Sequence, residues 1–297
     1  MSNEYNATII ADGLSFGEAP RWHDGRLWFS DFYRYGVFSI RADGSDERLE
    51  VSLATQPSGL GWLPDGRLLI VSMTDHRVVR VSADGSIDLH ADLAEHCGYW
   101  ANDMVVADDG TAYVGNFGFD LDAFLAEHGI EGVLTPPGPP TTSLVVLSPS
   151  GEILQVVKEM AFPNGSVITP DGTTLIVAET MAMRLTSFEI ASDGTLGNRQ
   201  VFAQLELVPA DGICLDAEGQ VWVANALSPE AIRVAPGGEI TGRVHTSQTC
   251  FACMLGGPDG RTLFAMTAPT STARIARERT DAKIETAEVS VARAGRP

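Results

Sequence analysis

Glu18, Asn102, Asn164 and Asp211 all carry side-chain oxygens, and they hold one shared place in a phrase that the chain repeats six times. Each copy has a polar opening, an apolar run, an acidic-Gly turn and a second apolar run. The phrase reads PSGLGWLPDGRLLIVS from Pro57, ANDMVVADDGTAYVGN from Ala101, PNGSVITPDGTTLIVAE from Pro163 and ADGICLDAEGQVWVAN from Ala210. Counting seven residues back from the acidic turn residue reaches Ser58, Asn102, Asn164, Asp211 and Ala252 in copies two to six. In the first copy, GEAPRWHDGRLWFSD, one residue shorter, the match is Glu18. Oxygen ligands without His or Cys suit a hard divalent cation. Two carboxylates would balance its charge and would repel one another without it. Two amides add neutral oxygens, and positions left open admit water and substrate, which makes a Lewis-acid site. Any one of these residues alone fits the commoner use of Asn and Asp, making turns and binding backbone groups. The shared register is what points to a metal.

The elements that must position them follow from the turns. Asp24-Gly25, Asp65-Gly66, Asp109-Gly110, Asp171-Gly172, Glu218-Gly219 and Asp259-Gly260 recur roughly every 40 to 50 residues, with one wider gap, the period of a β-propeller with four strands per blade. A second series, at Asp43-Gly44, Asp84-Gly85, Ser150-Gly151, Asp193-Gly194 and Gly237-Gly238, supplies the turn between the third and fourth strands. The sequence therefore predicts an all-β fold, a six-bladed β-propeller with four-stranded blades. It forms a single domain over 1–297, closed by pairing of the N-terminal strand near Tyr5–Ile10 with the last strands near Lys283–Val291. Strand direction puts the polar openings on one face with the loops that begin near Asp31, Ser72, Asn116, Glu179, Asn225 and Thr267. The wide gap is an insertion at 117–142, read as a lid, with a short helix expected over Asp120–His128 and none over TPPGPPTT.

Composition narrows the partners. A formal charge of −19 argues against nucleic acid or an anionic membrane surface. No apolar run approaches the length of a membrane span, and the first residues lack the pattern of a signal peptide, so a cytoplasmic protein is expected. Closure of the ring predicts a monomer or weak homo-oligomer. Cys97, Cys214, Cys250 and Cys253 have no second CxxC or His partners and read as packed thiols. His76 and Arg184 sit in loops of the functional face and are candidates for contact with an acidic product, or plain rim residues.

GEAPRW at 17–22, AND at 101–103, PNG at 163–165 and DG at 211–212 together resemble the metal-site motifs of the SMP-30/gluconolactonase/luciferin-regenerating enzyme family, and the resemblance runs over essentially the whole chain. It implies that Glu18, Asn164 and Asp211 bind a divalent metal directly, with Asn102 beside the metal and the substrate. It also implies that Asp211 serves as general base or orients the attacking water, in hydrolysis of a lactone to a hydroxy acid. Ca²⁺ is the expected ion, with Mg²⁺, Mn²⁺ or Zn²⁺ possible on the same oxygens.

One departure bears on the substrate. Sugar-lactone members of the family resemble RxND before the Asn, whereas this chain has Trp100-Ala101-Asn102-Asp103. An indole replaces a charged fork with an apolar face and one N–H. With Tyr99, Phe117, Phe119, Met181 and Met183 expected nearby, Trp100, Tyr99, Phe119 and Met181 are the candidate substrate contacts. They predict a lactone or ester less polar than a sugar lactone. The alternatives are a metal-dependent hydrolase of another ester or a phosphotriester, and a non-catalytic, metal-stabilised propeller that binds a ligand.

Overall fold

The computed structural model describes residues 2–296. It folds them into six sheets, antiparallel apart from one added edge strand. The first strand of each sheet packs against that of the next, and the contact between Thr249–Gly256 and Gly17–His23 closes the ring. The innermost strands are Gly17–His23, Pro57–Trp62, Ala101–Val106, Pro163–Ile168, Ala210–Leu215 and Thr249–Gly256, one for each repeated phrase. They are largely buried on both faces because each is sandwiched between neighbouring blades. Buried Val, Ile, Leu and Phe fill the gaps between sheets as a series of inter-blade clusters.

The turns account for the repeat. In Asp65-Gly66 the glycine takes φ +83°, and the Asp65 carboxylate accepts the N–H of Arg67 at 3.1 Å. Asp109, Asp171 and Asp259 accept the N–H two residues on in the same way. The first copy is shorter because Asp24 and Gly25 both have positive φ and join His23 directly to Arg26, the geometry of a two-residue hairpin.

Closure is more elaborate than one strand pair. Thr8–Leu14 pairs antiparallel with Ala282–Glu288 and completes the sixth blade, as expected. Asn3–Asn6, however, pairs in parallel with Ile240–His245 and makes the fifth blade five-stranded. The N-terminal segment thus covers two outer edges. No helix among the described residues is long and apolar enough to cross a membrane.

The insertion carries a helix over Leu121–His128, capped by Asp120, whose carboxylate accepts the N–H of Ala123 at 3.0 Å. A single turn follows at Glu131–Leu134, and the Pro-rich remainder is non-helical. None of the helix residues is buried.

Candidate metal and substrate site

Every innermost strand slips out of register with its partner just after its first residues. One extra residue at such a bulge turns a side chain out of the alternating pattern; Ser58, Asn102, Asn164, Asp211 and Phe251 lie within the slip, and Glu18 is the last paired residue before it. Small neighbours let the bulges crowd together. A Cβ on Gly59 would lie 2.4 Å from the Met104 nitrogen, and one on Gly165 would lie 2.5 Å from the Ile213 nitrogen. A Cβ on Gly212 would lie 2.6 Å from that of Ala252. Ala252 is therefore the sixth blade's counterpart of these glycines. Phe251, one residue earlier than the count from the turn indicated, is the residue that faces the cavity.

Glu18, Asn102, Asn164 and Asp211 line one cavity of about 470 Å³. The Asn102 amide donates to Asn164 Oδ1 at 3.1 Å, and Ser58 donates to Asn102 Oδ1 at 3.3 Å. Asn164 donates to Thr180 Oγ1 at 3.2 Å, and Thr180 in turn donates to the Ala210 carbonyl at 2.7 Å. This chain of bonds fixes the amide oxygens while leaving each a second lone pair.

The two carboxylates are less content. Burial, and then the charge of Asp211, pushes Glu18 well above the usual carboxylate range. Burial, and then Asp103, raises Asp211 to about 8, against a hydrogen bond from Asn164 that lowers it. Among the described residues no Lys, Arg or His forms an ion pair with either. A nearby guanidinium is used elsewhere: Arg21 Nη2 donates to Asp103 Oδ1 at 2.8 Å and to the Met104 carbonyl at 2.6 Å, and its Nε donates to the Leu60 carbonyl at 3.1 Å. Arg21 thus ties the first three blades together and neutralises Asp103 (a buried pair that the motifs contain but their spacing does not disclose). Among the described residues no three His, Cys, Asp or Glu cluster as a metal site. A cation here would rest on two carboxylates and two amides. That donor set fits a hard divalent ion, which would offset the burial and the neighbouring negative charge that raise both acids.

Aromatic side chains form one wall. Trp100 stacks on Tyr99 at 4.8 Å and meets Phe117 edge-on at 6.1 Å, and Phe117 lies 4.6 Å from Phe162. Tyr99, Trp100, Phe117, Met181 and Met183 all line the cavity. Phe119 does not; it is buried behind the lining, between Phe124 and Phe162. Phe16, Phe32, Tyr33 and Phe251 line the opposite wall and went unnoticed in the sequence because no motif marks them. Arg184 is outside the cavity: its Nη2 pairs with Glu179 at 2.8 Å. His76 lies in a tight turn at φ +55°, away from the lining.

Over the cavity, Leu121, Leu125, Ile130 and Val133 of the insertion turn apolar side chains inward. Tyr99 donates to Asp120 at 3.1 Å, and Asp122 accepts the N–H of Ala273 at 2.8 Å from the sixth blade's loop. The short helix Ala273–Ala276 on that loop brings Arg274 and Arg277 to the mouth.

Comparison with known proteins places the fold and the family. The model of the SMP-30/gluconolactonase/LRE-like region matches residues 16–269. Regucalcin of Xenopus laevis is 24% identical over 278 residues, 90% of this chain and 88% of its own. A gluconolactonase of Xanthomonas campestris superposes with a TM-score of 0.73 at 23% identity, over 95% of this chain and 89% of its own. A calcium-binding regucalcin of Agrobacterium tumefaciens superposes with a TM-score of 0.76 at 19% identity, over 100% of each chain.

Proposed function

The chain belongs to the SMP-30/gluconolactonase/LRE-like family, and on that premise we propose that it is a divalent-metal-dependent hydrolase that opens a lactone to a hydroxy acid. The observation that carries this reading is the meeting of Glu18, Asn102, Asn164 and Asp211 at one cavity, with two raised carboxylates and, among the described residues, no cationic side chain paired to them. Glu18, Asn164 and Asp211, with Asn102 beside them, would hold the ion. Calcium is the first choice, on the oxygen-only donor set and on the calcium-binding relative.

A bound divalent cation would polarise the lactone carbonyl and stabilise negative charge developing on its oxygen. Asp211 accepts the proton of a water attacking the carbonyl carbon. Asn102, held by Ser58, orients the ester against that water. The ring C–O bond then breaks, and the leaving oxygen takes up the proton that Asp211 accepted, which makes the hydroxyl of the product and returns Asp211 to its carboxylate form. The aromatic walls bind a ring less hydroxylated than a sugar and exclude water from around it. The 117–142 insertion acts as the lid, and the bond from Ala273 N–H to Asp122 is its clasp.

Proton release in weak buffer tests the reading on a panel running from gluconolactone to aromatic and alkyl lactones. The protein is used as purified, chelated, and reloaded with Ca²⁺, Mg²⁺, Mn²⁺ or Zn²⁺. Turnover that disappears on chelation and returns with metal is the expected result, with aromatic lactones ahead of gluconolactone. Protein shown to hold metal yet inert on every lactone would overturn it.

A further inference from the structure

The cavity has two polar ends, and only one is used in the chemistry above. The other is the mouth, where Arg274 and Arg277 project from the short helix Ala273–Ala276. In a chain with 39 acidic and 20 Lys and Arg residues, most arginines are committed to carboxylates. Arg26, Arg34, Arg184, Arg199, Arg233 and Arg243 are examples. Among the described residues Arg274 and Arg277 form no ion pair. Residues three apart on a helical turn are neighbours, so two cations held there repel unless an anion lies between them.

Arg277 is also preset. Its Nε donates to the Ala273 carbonyl at 3.1 Å, and its guanidinium lies over the Tyr33 ring at 5.9 Å. Those contacts orient the group and leave the two Nη nitrogens, the fork that grips a carboxylate or sulfonate, without a partner among the described residues. Asp120 and Asp122 of the facing lid keep their charge but, among the described residues, pair with neither arginine; Asp120 accepts from Tyr99 and Ala123, and Asp122 accepts from Ala273. Between mouth and floor the lining is chiefly aromatic and aliphatic.

We infer that Arg274 and Arg277 form an anion subsite that selects amphiphilic substrates: an apolar, aromatic body with an anionic group at the end remote from the reacting carbonyl. Which end reacts rests on the hydrolase reading; the subsite does not. Such a substrate spans the cavity with its anion at the mouth and its ester over the carboxylates. A neutral sugar lactone would leave both arginines unanswered and the walls poorly filled.

Calorimetry tests the subsite without turnover, using naphthalene-1-sulfonate against the neutral naphthalene-1-sulfonamide on metal-loaded protein at low salt. The sulfonate should bind at least about tenfold more tightly, as two charge-assisted hydrogen bonds allow. Arg274→Gln with Arg277→Gln should reduce that ratio to about twofold or less, and Arg274→Lys with Arg277→Lys should keep part of it. A ratio near one in the native protein would overturn the proposal. So would a ratio that survives both Gln substitutions, which would put the anion on the bound cation. An equal loss for both probes would also overturn it, making the arginines a latch for the lid. An intact sulfonate preference in a protein that opens no lactone would uphold the subsite and sink the hydrolase reading.

Discussion

Two rings of residues, polar at every position but one, stand on the same face of this propeller, each at one register in all six blades. The outer ring closes the second strands: Asp31, Ser72, Asn116, Glu179, Asn225 and Thr267, all buried. The inner ring opens the first strands with Glu18, Ser58, Asn102, Asn164 and Asp211, and Phe251 completes it. The outer ring is satisfied from within. Asp31 accepts the N–H groups of Ser15, Phe16, Tyr33 and Arg34, which brackets the loops on either side. Asn116 donates to the Ser143 carbonyl and accepts from Thr142. Glu179 receives Thr186, the Ala161 N–H, Arg184 and Arg199. Burial is the largest single influence on Glu179 and pushes its carboxyl up, yet the donors around it, Thr186 first, hold it below the usual range. Glu18 and Asp211 are pushed up with little to hold them down. Repeated polar register is therefore no sign of function by itself. What separates the rings is whether the protein supplies the counter-charge.

Asp211→Asn is the largest test of that contrast. It keeps the shape and removes one of the two repelling acids. Hydrolysis should fall by about 10²–10⁴-fold, the range for loss of a general base, and calorimetry should show weaker metal binding. The melting temperature of the chelated protein should hold or rise. Activity within tenfold of the native enzyme would remove Asp211 from the chemistry.

The second test is pH. A carboxyl with a raised folded pKa keeps its proton in the native state after the unfolded chain has lost it, so stability falls as pH rises across that window. For Asp211 the window opens near the ordinary value of 3.8 and closes at about 8. Chelated protein should lose stability from pH 4 to 8, by at most roughly 1.4 kcal/mol per pH unit for each proton held. Metal should reverse the trend, because it binds the deprotonated pair. Glu179 has the opposite sign: its contribution is present above the ordinary carboxylate pKa and is lost only as pH falls through its lowered value. Denaturant midpoints of chelated and loaded protein check both when the series runs across this range and on below the ordinary carboxylate value, where the Glu179 contribution is lost. A flat profile for the chelated form would mean that the inner carboxylates are not mutually destabilised.

Glu179→Gln is the third test. Removing one partner of a buried pair costs about 3–5 kcal/mol. Arg184 and Arg199 are 28% and 31% exposed and can turn to water, so a loss of about 2 kcal/mol is expected. Metal affinity should not change. A variant that lost metal but kept its stability would exchange the roles of the two rings.

Much of this was legible before the fold was seen, because a repeat converts distance along the chain into position around an axis. Acidic-Gly turns fixed the blade count, and the register of Glu18, Asn102, Asn164 and Asp211 put them at one cavity. What escaped notice depends on contacts across blades that no period encodes. Arg21 sits within GEAPRW, but only the folded ring shows it reaching Asp103. The slip from Ala252 to Phe251 was hidden because the count ran from the turn, while the bulge lies at the other end of the strand. The parallel pairing of Asn3–Asn6 and the arginines at the mouth belong to segments outside the repeat.

Trp100 gives the smallest effect and the finest distinction. It sits two residues before Asn102, on the wall rather than in either ring, and stacks on Tyr99. A residue there acts on what is bound and contributes nothing to the charge at the floor. Aromatic contacts of this kind contribute about 0.5–1.5 kcal/mol beyond area burial, so Trp100→Leu should raise KM for an aromatic lactone by about fivefold. The kcat for that lactone and the affinity for metal should hold. Trp100→Arg should move the preference toward hydroxylated lactones, because a guanidinium offers five donors where the indole offers one. If either substitution lowered kcat as strongly as Asp211→Asn, the wall would be part of the catalytic floor, and the line drawn between positioning and chemistry would have to move outward to include it.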